Sequence, residues 1–239
     1  MPFFDKFWAL AGLAVAALGA SQSAWAQSSC SSDGQRPPPA LLERFISADC
    51  EACWADPATP KPKTHELALD WIVPSAKGDD APLSGAASRD ALNRLEAANQ
   101  PPLVTAINLR RLTVAMPMAL RVARGVALGG YMGASIELPS PRRLNLASFP
   151  LTARLLLVEV IPAGSDGTPV TRHLVRNALE LTWNAPAAGT ANANARKRFY
   201  ESRPLSIAPG ANPDRLQVVG WVEDVNGNVV ASAASVCEK

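Results

Sequence analysis

Histidine, tyrosine and surplus charge are all scarce in this chain. Only His65 and His173 are present, and neither has a metal-ligand partner three or four positions on. Grouped with Cys50 and Cys53 they would complete a Cys2His2 set. Nothing in the spacing requires it, so they read as ordinary surface or strand histidines. No metal and no cofactor is expected. Lysine plus arginine number 23 against 21 acidic residues, a net charge of +2, which gives no reason to propose nucleic acid. No Gly-x-Ser-x-Gly elbow occurs, and catalysis by a Ser-His-Asp triad is unsupported. The Gly-rich VALGGYMG from Val126 to Gly133 lacks the Lys-Ser/Thr ending and following helix of a phosphate loop, and reads as a bend between strands. Beyond the leader no run suits a membrane span; Leu155 to Ile161 is strand-length. Stable membrane insertion is therefore not expected.

What is present is ordinary globular material, 48% hydrophobic and 18% charged, with 21 prolines that imply many stiff loops. Met1 to Ala26 reads as a secretory signal peptide. It has a short apolar run, FWALAGLAVAALGA, and a small-x-small ending, Ala24-Trp25-Ala26. Polar SQS interrupts the run, which argues against an uncleaved anchor, and no lipobox precedes Cys30. The expected mature chain starts near Gln27, is about 210 residues long, and is exported to the periplasm of a Gram-negative bacterium.

The cysteines are Cys30, Cys50, Cys53 and Cys237. An even number in an exported chain implies disulfides, with three possible connectivities. Proximity favours Cys50 with Cys53, leaving Cys30 with Cys237. The latter bridge would close a loop of about 200 residues.

Leu41 to Asp56, LLERFISADCEACWAD, carries the one spacing with chemistry in it. A strand over Ala40 to Ser47 leads into Cys50-Glu51-Ala52-Cys53. A helix starting there would favour a thiolate. Pro57, Pro60 and Pro62 limit that helix to one or two turns. His65 to Val73 reads as a second strand, and a helix capped by Ser84 or Ser88 should run to about Asn99, with Ala91, Leu92, Leu95 and Ala98 on one face. The rest reads as strands: Val104 to Val114, Ala119 to Leu128, Tyr131 to Leu138, Leu151 to Ile161, Arg172 to Trp183, Arg198 to Ile207, Arg215 to Asp224 and Val229 to Val236. Val175, Leu179, Leu181 and Trp183 should share a face, opposite Arg176 and Glu180. Asn226-Gly227 signals a hairpin, since both residues tolerate positive φ. Arg110-Arg111, Arg142-Arg143 and Arg196-Lys197-Arg198 read as edge and loop charges that discourage strand pairing.

FISADCEACWAD resembles the strand and active-site turn of thioredoxin-like proteins. More narrowly, it is similar to a family of exported bacterial proteins with a thioredoxin-like domain. In that family a strand ending in Phe-(Thr/Ser)-Ser leads to Cys-x-x-Cys, and a Leu-x-Trp strand follows, matched here by Leu69-Asp70-Trp71. The chain end RPLSIAPGANPDRLQVVGWVEDVNGNVVASAASVC is similar as well. The resemblance covers about half of the mature chain. There are departures. Asp49 stands where a working site has an aromatic residue, and with Glu51 it opposes a Cys50 thiolate. No cis-proline loop is evident, Pro117 being the least poor candidate.

The expected fold is α+β: a reduced thioredoxin-like α/β unit over Gln27 to Gln100, then an immunoglobulin-like antiparallel β-sandwich over Pro101 to Lys239. The expected role is an exported, disulfide-stabilised binding or structural module of the cell envelope, with envelope or exported proteins as partners. The alternative is a thiol-disulfide oxidoreductase, with Cys50 attacking and Cys53 resolving. A small-ligand carrier using the cleft between the halves is a third reading. Composition does not set the oligomeric state.

Overall fold

The computed structural model describes residues 30–114, 117–139, 146–185 and 199–237. The expected leader at Met1 to Ala26 and the basic runs Arg142-Arg143 and Arg196-Lys197-Arg198 lie outside the described residues. The strands are β1 (Cys30–Ser31), β2 (Ala40–Ser47), β3 (Leu67–Val73), β4 (Ala106–Leu112), β5 (Arg121–Leu128), β6 (Tyr131–Glu137), β7 (Leu151–Ile161), β8 (Arg172–Trp183), β9 (Tyr200–Ser206), β10 (Leu216–Glu223), β11 (Val229–Ala234) and β12 (Val236–Cys237). Among the described residues two α-helices join them, α1 (Glu51–Trp54) and α2 (Arg89–Ala97).

Local chemistry explains the boundaries. Ser88 caps α2 by accepting the Ala91 N–H at 3.1 Å. Asn99 closes the helix in the left-handed region, φ 54°, and the Gln100 N–H returns to Leu95 O. Gly129 and Gly130, both at positive φ, turn the chain between β5 and β6. Between β10 and β11 only Gly227 has positive φ, not Asn226. Asp224 accepts the Asn226 and Asn228 N–H groups, so the turn is held by a side chain.

A seven-stranded sheet has the order β11-β10-β7-β8-β3-β2-β4, and a five-stranded sheet the order β12-β1-β5-β6-β9. In the larger sheet β2 pairs with β3, and β3 with β8, in parallel; its other pairs are antiparallel. One face of it carries Phe45, Trp71, Leu156, Val158 and Trp221, covered by Ala91 and Leu95 of α2. The opposite face has two covers. Over β7 and β10, Val122, Met132 and Ile136 of the smaller sheet meet Leu155, Leu157 and Val218. Over β2 and β3, the turn around α1 lays Trp54 on Ile46, Ile72 and Leu174. Gly220 lies at a close approach of the two sheets: a Cβ there would stand 2.8 Å from Val122 Cγ1 and 3.0 Å from Ile136 Cδ1.

This architecture corrects the expected fold class. The chain is mostly β, and the thioredoxin-like α/β unit is not present. α1 is a single turn, stopped by the prolines after it. β2, β3 and β4 belong to the same sheet as β7, β8 and β10. β3 is buried at every position, so it needs cover on both faces and a neighbour on each edge. Two packed sheets form the sandwich, but the larger one is mixed, not antiparallel throughout. A second correction concerns β8. The register against β7 shifts between Leu157 and Val158, so Arg176 is an extra residue. That bulge turns Val175 to the α2 side, away from Leu179, Leu181 and Trp183. Among the described residues no helix is long and apolar enough to cross a membrane.

Candidate functional site

β2 delivers the chain into the cysteine turn. The Ser47 N–H donates to Thr105 O at 2.7 Å and the Ala48 N–H to Val73 O at 2.9 Å, fixing the strand end. Cys50 is the N-cap of α1: its Sγ accepts the Cys53 N–H at 3.3 Å, and its carbonyl accepts the same N–H at 3.1 Å. Cys50 and Cys53 are joined by a disulfide, Cα atoms 5.2 Å apart. Both are half-buried and pack against the Ile46, Trp54 and Leu174 cluster. One helical turn sums few peptide dipoles, so the expected dipole support for a thiolate shrinks to a local N–H contact. Asp49 faces Lys77 at 3.5 Å, which offsets the charge expected to oppose a Cys50 thiolate. Glu51 is exposed.

Beneath the turn lies a buried ion cluster. Arg172 has no exposed surface. It donates to Cys53 O at 3.0 Å, Trp54 O at 2.5 Å, Thr59 Oγ1 at 3.0 Å and Thr168 Oγ1 at 3.0 Å. It also pairs with Asp70 at 3.2 Å and lies 4.9 Å from the centre of the Trp54 ring. The other Asp70 oxygen takes Arg44 at 2.5 Å and the His173 N–H at 2.6 Å. Arg44 further donates to Pro60 O at 2.9 Å. Two cations thus share one carboxylate; backbone carbonyls and the Thr59 and Thr168 hydroxyls take other donors, and the Arg44 Nε–H has no partner among the described residues. Burial pushes the Arg172 pKa down; Asp70 opposes this and Arg44 adds to it. Burial likewise pushes the His173 pKa down, against the pull of Asp70.

A groove of about 480 Å³ opens beside Trp54. Leu83, Ala86, Ile161 and Leu174 give it an apolar wall, and Leu83 and Ala86 pack against the same cluster as the two cysteines. Its other wall is charged. Glu159 holds Arg176 at 2.6 Å and accepts the Asn212 N–H at 3.1 Å; Asp166 holds Arg215 at 3.1 Å. The Trp54 Nε1–H donates to Asp166 O at 2.8 Å and ties the cysteine turn to this wall.

The other sequence-marked residues are elsewhere. Cys30 and Cys237 are bonded across β1 and β12, on the smaller sheet, where Arg124 donates to Cys237 Sγ at 3.2 Å. His65 is exposed and lines a cavity of about 200 Å³ with Glu66, Arg36 and Val236, so the Cys2His2 grouping is not assembled. Pro117 precedes Met118, whose N–H bonds Val230 O on β11.

On the opposite face of β2 sits a second ion cluster. Glu43 holds Arg94 of α2 through two bonds, at 2.7 and 2.6 Å. Arg111 bridges Glu43 at 3.1 Å and Glu223 at 2.5 Å, and Arg154 reaches Glu223 at 2.5 Å. The Trp221 indole donates to Glu223 at 2.9 Å, with Arg94 and Arg154 over its ring. Burial would raise the Glu223 carboxyl, but Arg94, Arg154 and Arg111 outweigh it and hold the pKa at about 2.

Sequence reading passed over Arg44 and Arg172 and used Asp70 only as part of a motif. The signal was charge inside two apolar strands, Glu43 and Arg44 in ALLERFIS and Asp70 in LALDWIV. A charge in a strand apolar on both faces needs a buried partner.

No protein-family model matches the chain, and no curated protein matches it. The exported thioredoxin-like family is thus left with the Cys50-x-x-Cys53 pair alone in its favour. Among solved structures, HBP35 of Porphyromonas gingivalis is similar with a TM-score of 0.45 and 11% identity, over 84% of this chain and 76% of that one. A likeness so distant establishes neither a common fold nor a common activity.

Proposed function

We propose that this chain is an exported binding module of a Gram-negative cell envelope, in which Cys50–Cys53 is a staple and not an exchange site. The leader pattern supports export, and two disulfides fit an oxidising compartment such as the periplasm. The observation that carries the staple reading is Arg172, buried and bonded to the carbonyls of Cys53 and Trp54. A turn held from beneath keeps the two thiols close after reduction. That raises their effective concentration and favours the oxidised form. The staple in turn backs the groove through Trp54. With one apolar and one charged wall, the groove suits an extended segment of an exported or envelope protein.

The second reading, thiol-disulfide exchange, rests on the Cys53 N–H directed at Cys50 Sγ. A Cys50 thiolate would attack a substrate disulfide and expel one substrate thiolate. Cys53 would then attack Cys50 Sγ, releasing the second thiol and leaving the pair oxidised. A glutathione redox titration, read by alkylation and mass spectrometry, separates the two. The staple stays oxidised until below about −300 mV. A midpoint between about −270 and −120 mV sinks the staple reading and turns the search to mixed-disulfide partners.

A further inference from the structure

The two disulfides stand in opposite surroundings. Cys50 and Cys53 are half-buried, and Arg172 holds their turn from beneath. Cys30 and Cys237 bridge β1 and β12, strands of two residues each at the border of the smaller sheet. In that sheet β12 pairs with β1 alone, and the two cysteines stand directly opposite each other. Just before β12 the Ser235 N–H donates to Val218 O at 2.8 Å, which anchors the chain on β10. Beyond that point β12 has its short ladder to β1 and the bridge.

Cys30 is 2% exposed, whereas Cys237 is exposed. An incoming thiolate therefore meets Cys237, not Cys30. Arg124 sits at this sulfur. It is the cross-strand neighbour of Cys30 on β5, and its guanidinium reaches over to donate to Cys237 Sγ at 3.2 Å. Its other bond goes to Gly125 O at 3.2 Å, and its Nε–H is buried without a partner. Asp214 acts on it through charge, without a bond. Among the described residues no carboxylate bonds Arg124. A half-buried cation so poorly paired gains from a thiolate beside it, and a cation beside a thiol favours its thiolate. The oxidised bridge withholds that partner; reduction supplies it.

We propose that Cys30–Cys237 is the redox-responsive bond of this chain, opened by a dithiol while both sheets stay folded, with Arg124 holding the Cys237 thiolate. A thiolate of the dithiol attacks Cys237 Sγ; the Cys30–Cys237 bond breaks, and Cys30 leaves with the electron pair. The second thiol of the dithiol then attacks its own partner sulfur in the mixed disulfide, and Cys237 leaves as a thiolate beside Arg124. The proton of that second thiol ends on Cys30. The dithiol has given two electrons to the bridge and departs as a disulfide. Opening frees Val236 and Cys237 from β1. Val236 lines the cavity of about 200 Å³ that Arg36, His65 and Glu66 also line, so the same step widens its mouth.

Equilibration of the oxidised mature chain with dithiothreitol, quenched by alkylation, tests this. The peptides of Cys30 and Cys237 are read by mass spectrometry apart from those of Cys50 and Cys53. The expected result is alkylation of Cys30 and Cys237 in a chain whose circular dichroism spectrum is still native. Arg124→Gln removes the cation, and the equilibrium constant for reducing the bridge should fall about tenfold, a midpoint about 30 mV lower. Arg124→Lys keeps the charge and should stay near the wild-type value. Should Arg124→Gln misfold, the wild-type and lysine chains decide. A bridge that opens only as the chain unfolds overturns the proposal. So does a folded Arg124→Gln chain that reduces as readily as the wild type, or a folded Arg124→Lys chain that loses the full tenfold. The Cys50 and Cys53 peptides decide the staple reading separately.

Discussion

Glu43 and Arg44 are neighbours on β2, yet their side chains leave by opposite faces into two separate buried ion clusters. On the Arg44 side a single carboxylate, Asp70, touches two arginines, and backbone carbonyls and two threonine hydroxyls take other donors. On the Glu43 side two carboxylates lie among three arginines and an indole. The first cluster has one anion and no substitute for it. The second shares its charge over several bonds, so losing any one leaves others. The first fixes a turn that has almost no helix of its own; the second fixes a helix already capped and amphipathic.

The sharpest way to break this contrast is Asp70→Asn. It leaves Arg44 and Arg172 buried without a carboxylate, and a urea midpoint should report a loss of about 3–5 kcal/mol. A loss no larger than that of a surface substitution would mean the carbonyls alone suffice. Glu223→Gln should cost less, on the order of 2–3 kcal/mol near neutral pH, because Glu43 still holds Arg94 and Arg111. The same variant sharpens the comparison through acid. The Glu223 pKa is depressed from 4.5 to about 2 in the folded chain, so the unfolded chain binds the proton first. Its contribution is full above the unfolded value and disappears as pH falls through about 2. Glu223→Gln should therefore flatten the acid limb of stability in that window; identical wild-type and variant limbs would remove Glu223 from the account. The smallest effect is expected from Cys50→Ala with Cys53→Ala. Closing so short a loop stabilises by about 2 kcal/mol on the chain-entropy model. Trp54 fluorescence should stay native, because Arg172 and Asp166 still hold that side chain. A solvent-exposed Trp54 would show that the disulfide, not Arg172, holds the turn.

Much of the strand layout was legible. The expected strands stand within two residues of the observed ends, and Ser88 caps α2 as a short polar residue before an amphipathic run should. Proximity also paired the cysteines correctly. The assignment of strands to sheets was not legible, because periodicity reports faces and not neighbours. Nothing in LALDWIV says that its partners are β2 and β8. The bulge at Arg176 was hidden for a similar reason: an inserted residue leaves composition untouched while reversing every side chain beyond it. At the candidate site the cysteines were readable from spacing. Their support was not, since Arg172 lies 119 positions from Cys53 in the chain.

Cys30 and Cys237 bond the first described strand to the last, across 207 positions of sequence. The clasp has a mechanical meaning. If the chain is pulled from both sides of it, tension passes through one covalent bridge and bypasses both sheets. The body between the two cysteines then feels no force until that bridge is reduced. Reduced and oxidised chains should part company under load by far more than they do in a denaturant.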